Sequence, residues 1–286
     1  MTVTLRDDDL SLVPTTGSDE FTGFAIVLAD ERRGTVALRS EGRSIASIRW
    51  NSSLEQPFAV ARALRLAIEH AFAELGVGRV EVRLPLDATA DVRAASLSGL
   101  RREGVIRLPG DVPDEVLMAR LVDDPPASSK EGFTAILNAG LPTKRVISQG
   151  LLRDEQGRVL LCELTYKREW DLPGGVVEVG EPPALGLVRE LQEELGIEVE
   201  VRSLLTVNWL PAWRGWDDAC IFLFDLGVVD GAITEGMTLQ ASEIKSVTWC
   251  DPATVRERAT AAAIELLEAV DSGSLPTYRE APKAAE

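Results

Sequence analysis

The sequence predicts an α/β (α+β) chain built from two domains. Strand-like runs alternate with stretches of helical periodicity along the whole chain. Its 286 residues exceed the length of one average domain. One segment, in which Pro125 and Pro126 are followed by small polar residues, favours neither helix nor strand. We therefore expect a first domain at 1–122, a connecting segment at 123–144 and a second domain at 145–286.

The first half alternates predicted strands with two predicted helices. Apolar residues from Phe58 to Leu75 recur at helical spacing, and Gly76 is placed to end that helix. A second helix is expected to reach about Arg102. The strands expected in this half are 24–30, 34–40, 44–50, 79–84 and 104–108.

The second half contains a predicted helix between Pro182 and Gly196, because proline suits the start of a helix and glycine its end. A last helix is expected to begin after Asp251 as N-cap, with Pro252 at its first position, and to run to about Val270. The strands expected here are 147–152, 159–163, 198–210, 219–229 and 246–250.

Composition excludes several classes of partner. The formal net charge is −16, which opposes sequence-independent binding to nucleic acid phosphates. No stretch approaches the ~20 apolar residues of a membrane span, and the N-terminus is acidic where a signal peptide would be basic. The three cysteines are scattered, and the single histidine excludes an all-histidine metal site. We expect a cytoplasmic protein with neither membrane nor nucleic acid as partner.

Residues 175–197 contain five glutamates, an unusual density for like charges. On a helical wheel, Glu190, Glu193 and Glu194 share one edge, which lies beside an aliphatic edge. A solvated acidic helix face would have the same composition. The alternative is a site for Mg²⁺ or Mn²⁺, since hard divalent cations prefer carboxylate and carbonyl oxygens.

The same stretch resembles the Nudix box of the Nudix hydrolases, G-x5-E-x7-R-E-U-x-E-E-x-G-U with U an aliphatic residue. Every fixed position matches. The matching residues are Gly175, Glu181, Arg189, Glu190, Leu191, Glu193, Glu194, Gly196 and Ile197.

This resemblance implies an α/β/α sandwich with a mixed sheet in the second half. It also implies Mg²⁺-dependent hydrolysis of a nucleoside diphosphate linked to another group. Substrates of that kind include modified or oxidised nucleoside triphosphates, ADP-ribose and nucleotide sugars. The expected partner is therefore a small phosphorylated molecule, in most cases a nucleotide derivative.

The resemblance also assigns roles to residues of the box. Arg189 would orient the glutamates with Glu181 as its partner, and Gly174 would support the site. The catalytic base remains open between Glu193 in the box and two glutamates outside it, Glu243 and Glu235. The metal ligands would be the Gly175 carbonyl, Glu190, Glu193 and Glu194.

Aromatic residues near the box are candidates for the substrate pocket, since an aromatic face can stack on a base. Core packing is the alternative for each, and we favour it for Trp170. The candidates for substrate binding are Tyr166, Trp213, Arg214 and Trp216.

Residues 34–108 resemble the central part of a GNAT acetyltransferase, truncated by the loss of the opening helices. That family holds acetyl-CoA with a glycine-rich loop, but here Ala59 replaces a glycine and Pro57 removes a backbone donor. Ala88 replaces the usual asparagine, and no tyrosine precedes Tyr166 to act as the acid.

We therefore expect a GNAT-like domain without acetyl transfer, which binds a ligand, covers the second site or supports a homodimer. His70, inside the first helix, is interpreted as structural. Two other functions remain open for the chain. One is a regulator that senses a nucleotide through a Nudix fold, and the other is a bifunctional acetyltransferase and hydrolase.

Overall fold

The chain forms two compact units, Met1–Pro142 and Thr143–Glu286. Both combine helices with a mixed β-sheet, so the predicted α/β (α+β) class is confirmed. The computed structural model describes residues 3–15, 21–42, 44–212 and 215–281.

In the first unit, the described residues form an eight-stranded sheet with the order β1-β2-β3-β4-β5-β6-β8-β7. Neighbouring strands are antiparallel, except that β5 and β6 run parallel. The strands are β1 (Leu5–Asp7), β2 (Leu10–Pro14), β3 (Phe21–Leu28), β4 (Glu31–Ser40), β5 (Ile45–Ser52), β6 (Arg79–Pro85), β7 (Arg101–Ile106) and β8 (Glu115–Leu121).

Helices α1 (Pro57–Glu74) and α2 (Thr89–Ser98) supply the helical side of the first core. The inward residues of α1 include Leu64 and Ile68, which are fully buried, as the helical spacing predicts. His70 is also buried and meets the Phe24 ring edge-on at 5.2 Å. Burial lowers the pKa of His70, against the opposing charge of Glu74. This histidine is part of the core.

Two expectations for the first unit were wrong in detail. Helix α2 ends at Ser98, not near Arg102, because Gly99 takes the left-handed conformation with φ 105°. The pairing of β8 with both β6 and β7 was not expected, and neither were β1 and β2. Non-local pairing of this kind depends on partners that lie far along the chain.

The expected connecting segment contains a helix, α3 (Lys130–Gly140). The Ser129 hydroxyl caps it by accepting a hydrogen bond of 3.0 Å from the Gly132 amide. Gly132 lies so close to the Pro126 carbonyl that any Cβ there would collide with it. The proline pair therefore lies before the first residue of the helix. Gly132 has no side chain, so the first turn of the helix can lie against the carbonyl groups of that pair.

The second unit has a seven-stranded mixed sheet in the described residues. Its order is β14-β10-β9-β13-β12-β15, with β11 paired to β9. Strand β9 runs parallel to β13, and β12 runs parallel to β15. The strands are β9 (Arg145–Asp154), β10 (Val159–Leu164), β11 (Gly174–Val176), β12 (Ser203–Leu210), β13 (Ala219–Val229), β14 (Ile244–Cys250) and β15 (Tyr278–Glu280).

This sheet lies between helices on its two faces. Leu151 and Leu152 are neighbours on β9 but belong to different hydrophobic clusters. Leu152 packs with the leucines of α4 (Pro183–Leu195), whereas Leu151 packs with residues of α5 (Pro252–Arg258) and α6 (Ala261–Asp271). Because adjacent side chains of a strand point to opposite faces, the unit is an α/β/α sandwich.

The last predicted helix is broken in two at Ala259, whose backbone is extended. The Trp170 amide donates to the Arg258 carbonyl at 2.8 Å, and the Thr260 amide donates to the Trp170 carbonyl at 3.1 Å. Thr260 then caps α6 with its side chain. These bonds join the segment before the glutamate-rich box to the C-terminal helices.

Strand β12 is shorter than expected, since it begins at Ser203, where pairing with Asp225 starts. A short 3-10 helix, Gly231–Gly236, follows β13. Among the described residues, no helix has the length and the apolar character needed to cross a bilayer.

Candidate functional site

Helix α4 carries the crowded glutamates and has the ends that the sequence predicts. Pro182 is its N-cap, and Gly196 ends it in the left-handed conformation with φ 69°. The Gly196 amide donates to the Gln192 carbonyl at 3.1 Å. Leu187 and Leu191 are fully buried, so the aliphatic edge is anchored on the sheet and the adjoining glutamate edge is held at its border.

Arg189 ties the glutamates of the box together. Its Nε and Nη2 donate to the two carboxylate oxygens of Glu181 at 3.0 and 2.9 Å. Its Nη1 donates to Glu190 at 2.9 Å and to Glu193 at 3.0 Å. The hydrogen bonds from Arg189 hold the pKa of Glu181 below its ordinary value. This geometry suits the orienting role that the resemblance implies for Arg189 and Glu181.

Gly174 and Gly175 bring bare backbone against the box. A Cβ on Gly175 would collide with the carboxyl group of Glu190, and one on Gly174 would collide with the Ser148 carbonyl. Gly174 also has φ 136°, which side chains rarely adopt. Burial raises the pKa of Glu190, although Arg189 opposes that shift. Both glycines are therefore required by the approach of β11 to β9 and α4.

Glu194 is the most buried carboxyl group of the box, with 6% of its surface exposed. Burial raises its pKa to about 8, and the charges of Glu190, Glu243 and Glu193 add to that shift. A hydrogen bond between the protonated form of Glu194 and the Glu243 side chain adds to the same rise of the pKa. At neutral pH this group needs either a proton or a cation.

The structure separates the two glutamates considered outside the box. Glu243 precedes β14, where its carbonyl accepts a 2.8 Å hydrogen bond from the Thr165 amide, and its carboxyl group reaches Glu194. Glu235 lies on the 3-10 helix, and among the described residues no hydrogen bond or salt bridge joins its side chain to the box. Of these two, Glu243 joins the cluster.

The carboxyl groups fit a divalent cation in their chemistry. Glu194 is buried among carboxylates, and no salt bridge reaches it within the described residues. A cation would relieve that repulsion, and carboxylate oxygens are the donors that Mg²⁺ and Mn²⁺ accept. Among the described residues, however, no group of three or more His, Cys, Asp or Glu side chains is already arranged around a metal position. The cation that pairs with Glu190 and Glu193 in this structure is the Arg189 guanidinium.

The expected substrate-side residues fall in different places. Tyr166 is 70% exposed, and partial burial of its hydroxyl together with the carboxylates of Glu194 and Glu243 raises its pKa. Trp216 is 64% exposed and lies 4.7 Å from the Arg145 guanidinium. Trp213 and Arg214 lie outside the described residues. Tyr166 is thus close to the glutamates, while Trp216 contacts a different strand end.

A polar network beside the site was not foreseen from the sequence. Asp171 accepts hydrogen bonds from Lys167 at 2.6 Å and from Gln149 at 3.1 Å. The local signal was available, because Lys167 and Asp171 both lie in the segment leading to the paired glycines. Gln149 could not be found that way, since it reaches Asp171 from β9.

The first unit contains a cleft where β5 and β6 separate. These strands pair only from Ile45 to Ser47, and beyond that point a cavity of ≈ 680 Å³ opens. The Trp50 indole donates to Asp91 across it at 2.9 Å. The charged residues that line the cleft are Glu41, Arg49, Glu81, Arg83, Asp91 and Glu115.

Acetyl-CoA, which the GNAT resemblance implies, does not fit this lining. The acidic residues outnumber the basic ones, and the phosphates of CoA are anionic. Helix α1 also begins with Pro57, which lacks the N–H that a phosphate-binding helix start would use. We assign no chemical step to acetyl-CoA.

Comparison with known proteins identifies the second half. Residues 144–270 match the family model described as the NUDIX domain. A MutT-like protein of Streptomyces ambofaciens is 35% identical over 48% of this chain and 84% of its own length. The CTP pyrophosphohydrolase of Escherichia coli (strain K12) is also 35% identical, over 41% of this chain and 84% of its own.

Solved structures are similar to each half. A MutT protein from Methanosarcina mazei Go1 shares 23% identity with a TM-score of 0.41, and covers 48% of this chain and 100% of its own. An acetyltransferase of the GNAT family from Bacillus anthracis shares 20% identity with a TM-score of 0.32, and covers 35% of this chain and 65% of its own. With every fixed position of the box present and two curated relatives matched over most of their length, the chain belongs to the Nudix family and is a Nudix hydrolase.

Proposed function

We propose that the second unit hydrolyses a nucleoside triphosphate at a pyrophosphate bond, with Mg²⁺ or Mn²⁺ as cofactor. One observation carries the proposal. Glu190, Glu193, Glu194 and Glu243 act on one another's charge at one edge of the sheet, and the most buried of them, Glu194, has no salt-bridge partner among the described residues. Such a cluster is stable at neutral pH when it holds a cation beside an anionic substrate.

Glu190, Glu193, Glu194 and the Gly175 carbonyl would hold the ion. When bound, the cation neutralises phosphate charge and lowers the pKa of a coordinated water. Arg189 positions Glu190 and Glu193 through its two hydrogen bonds and is itself fixed by Glu181. This makes Arg189 a positioning residue rather than one that touches the substrate.

Glu243 is the base that the geometry favours, because its carboxyl group contacts Glu194 from outside the box. In this scheme it takes a proton from the water whose oxygen attacks phosphorus. The bond between that phosphorus and the bridging oxygen breaks, and the leaving group departs with the electron pair. Glu193 is the alternative base, since it is exposed at the same edge of α4.

The substrate class follows from relatives of similar sequence. The CTP pyrophosphohydrolase and an 8-oxo-dGTP diphosphatase of Proteus vulgaris, 38% identical over 56% of its length, are both named for nucleoside triphosphates. We therefore place ordinary and oxidised nucleoside triphosphates first. ADP-ribose and nucleotide sugars also contain a nucleoside diphosphate linked to another group and complete the set.

The proposal is tested by measuring hydrolysis of this set with Mg²⁺. We expect turnover of at least one nucleoside triphosphate, and a loss of kcat of at least ~100-fold in Glu194→Gln, the scale for removing a principal electrostatic contributor. Glu198→Gln is the matched control, because Glu198 is exposed just beyond α4. Binding of a nucleotide with no turnover of any compound would favour the sensing regulator instead.

A further inference from the structure

Ser148 is a buried polar residue on the face of the sheet that carries α4. It lies on β9 with 0% of its surface exposed, and its hydroxyl donates to the Pro183 carbonyl at 2.7 Å. A buried hydroxyl without a partner is costly, so the position of this side chain depends on that carbonyl. Pro183 is the first residue of α4. The bond therefore joins the sheet to the start of the helix that carries the glutamates.

The contacts between β9 and α4 follow a regular spacing. The successive pairs are Ser148 with Pro183, Gly150 with Leu187, and Leu152 with Leu191 in one hydrophobic cluster. Two residues of a strand advance about 6.6 Å and four residues of a helix about 6 Å, so the strand and the helix run side by side. The first of these contacts is a hydrogen bond, and the other two are apolar.

The first turn of α4 depends on support from outside the helix. Ser, Thr, Asp and Asn are preferred at the N-cap because their side chains bind the free amides of the first turn. Among the described residues, the N-cap of α4 is Pro182, which makes no side-chain hydrogen bond of that kind. The Ser148 hydroxyl instead binds a carbonyl of that turn from β9. It therefore fixes where the helix starts relative to the sheet.

The backbone of Ser148 holds the segment on the other side of the glutamates. Ser148 lies opposite Gly175 in the register of β9 and β11. Gly174 approaches so closely that any Cβ there would collide with the Ser148 carbonyl. The Gly175 carbonyl and the Glu190 carboxyl group are two of the proposed metal ligands, and that carboxyl group lies against Gly175. Ser148 therefore contacts both of the elements that supply these oxygens.

We propose that Ser148 is a positioning residue, which sets the spacing between the Gly175 carbonyl and the Glu190 carboxyl group. The inference rests on the proposed metal-dependent hydrolysis. The Ser148 backbone fixes β11, and its hydroxyl fixes the first turn of α4. Because α4 is a continuous helix, a displacement of its first turn is carried to Glu190 about two turns further on. Ser148 lies outside the box and acts on the ligands through Gly175 and Pro183.

The first experiment compares Mn²⁺ binding by the wild-type protein and by Ser148→Ala, without nucleotide. Electron paramagnetic resonance of free Mn²⁺ gives the Kd and is independent of turnover. Removing a group that orients metal ligands costs roughly 10- to 100-fold in metal affinity or activity, so the Kd for Mn²⁺ should rise by about that factor. An unchanged Kd in a folded Ser148→Ala protein would overturn the proposal.

The second experiment measures steady-state hydrolysis of the best nucleoside triphosphate at one fixed Mg²⁺ concentration. In Ser148→Ala, kcat should fall by roughly 10- to 100-fold. The KM for the nucleotide should change little, because the buried hydroxyl already donates to Pro183 and faces α4. A higher KM with an unchanged kcat would assign Ser148 to substrate binding and would contradict the positioning role.

Ser148→Thr is the conservative variant, and it keeps the test open if Ser148→Ala does not fold. Threonine retains the hydroxyl and is favoured in β-strands. Its Kd for Mn²⁺ and its kcat should therefore lie close to the wild-type values. A Ser148→Thr protein that unfolds at the wild-type temperature but has lost Mn²⁺ affinity by about 10-fold or more would contradict a role for the hydroxyl.

Thr206→Val is the matched control. Thr206 is also fully buried in this sheet, and its hydroxyl donates to the Pro276 carbonyl at 2.8 Å. It pairs with Leu223, which belongs to the cluster under α5 and α6, so its hydroxyl lies away from α4. Thr206→Val should lower the unfolding temperature and leave Mn²⁺ binding and kcat unchanged. Losses equal to those of Ser148→Ala would overturn the specific role of Ser148.

The two readouts separate this inference from the proposed function. If the wild-type protein binds Mn²⁺ but hydrolyses none of the compounds, the proposed function fails, and weaker Mn²⁺ binding by Ser148→Ala still supports the positioning role. If the wild-type protein hydrolyses a nucleoside triphosphate and Ser148→Ala matches it in both Mn²⁺ binding and kcat, the positioning role fails and the proposed function stands.

Discussion

The two units both collect acidic residues, but they do so in different ways. In the cleft of the first unit the acids have donors at hand, since Asp91 accepts from Trp50 and Glu81 accepts from Arg79. On α4 of the second unit, Glu194 is buried with carboxyl groups as its charged neighbours. Acidic density alone therefore says little about metal binding. The burial of a carboxyl group without a cationic partner is the distinguishing feature.

The largest expected effect concerns the close approach at Gly175. Gly175→Ala would push the Glu190 carboxyl away from β11, because the new Cβ would occupy its position. A displacement of about 1 Å at a catalytic group costs on the order of 100-fold in kcat. Steady-state hydrolysis of the best nucleotide measures this loss. Gly104→Ala in the first unit is the control, since nothing lies within 4 Å of a Cβ there.

A second comparison tests whether each unit relies on its own core. Leu191→Ala and Leu64→Ala both remove a fully buried leucine, which costs about 2–5 kcal/mol of unfolding free energy. Amide hydrogen exchange should accelerate in the strands of the second unit for the first variant, and in those of the first unit for the other. Uniform acceleration across both units in either variant would contradict separate cores.

A smaller effect is expected at acidic pH. Burial disfavours ionised Asp154, but hydrogen bonds from the Arg158 side chain and backbone outweigh it and hold its pKa below the ordinary value. In the first unit, the Arg79 side chain likewise lowers the pKa of Glu103. Each carboxylate therefore stabilises its unit at neutral pH, and that contribution is lost as pH falls below about 4 through the folded-state pKa.

Thermal unfolding recorded between about pH 3 and 7 measures this dependence. Asp154→Asn should flatten the acid side of the profile for the second unit. Glu103→Gln should have a smaller effect on the acid side of the profile for the first unit. The reason is that Glu103 is partly exposed, so solvent screens its ion pair with Arg79. An acid profile that is unchanged in Asp154→Asn would show that other groups govern the loss of stability.

The smallest expected effect is an absence of binding. Calorimetric titration of the protein with acetyl-CoA should give no saturable heat, because the cleft is acidic and Pro57 removes a donor. Micromolar binding of acetyl-CoA would mean that the acidic cleft of the first unit accepts an anionic ligand. It would then favour the interpretation of the chain as a bifunctional acetyltransferase and hydrolase.

The sequence was informative where local chemistry determines the structure. The ends of α4 follow from Pro182 and Gly196, and the separation of its glutamate and leucine edges follows from helical periodicity. The sequence leaves three candidates for the catalytic base: Glu193, Glu243 and Glu235. The pairing of β14 with β10 brings Glu243 near Glu194. Roles in catalysis for these residues remain predictions.

Features that depend on non-local pairing could not be read from the sequence. Asn208 lies opposite Arg279 because β15 pairs in parallel with β12. Strand β15 has only three residues, and no pattern within them predicts this partner. The break at Ala259 likewise depends on Trp170, which lies far earlier in the chain. Helix α3 is not predicted from the sequence, because the composition of residues 122–132, where it begins, favours neither helix nor strand.

The bonds between Trp170 and the backbone of residues 258–260 bear on the order in which the protein is made. A ribosome delivers the box long before it delivers the residues that hold the segment in front of it. The first unit can complete its sheet once β8 has emerged. The sheet and helices of the second unit are complete only when α5, α6 and β15 have followed, although α4 packs on the opposite face from α5 and α6. A stalled chain that ends before residue 258 would lack both hydrogen bonds that hold the Trp170 backbone, just before the box.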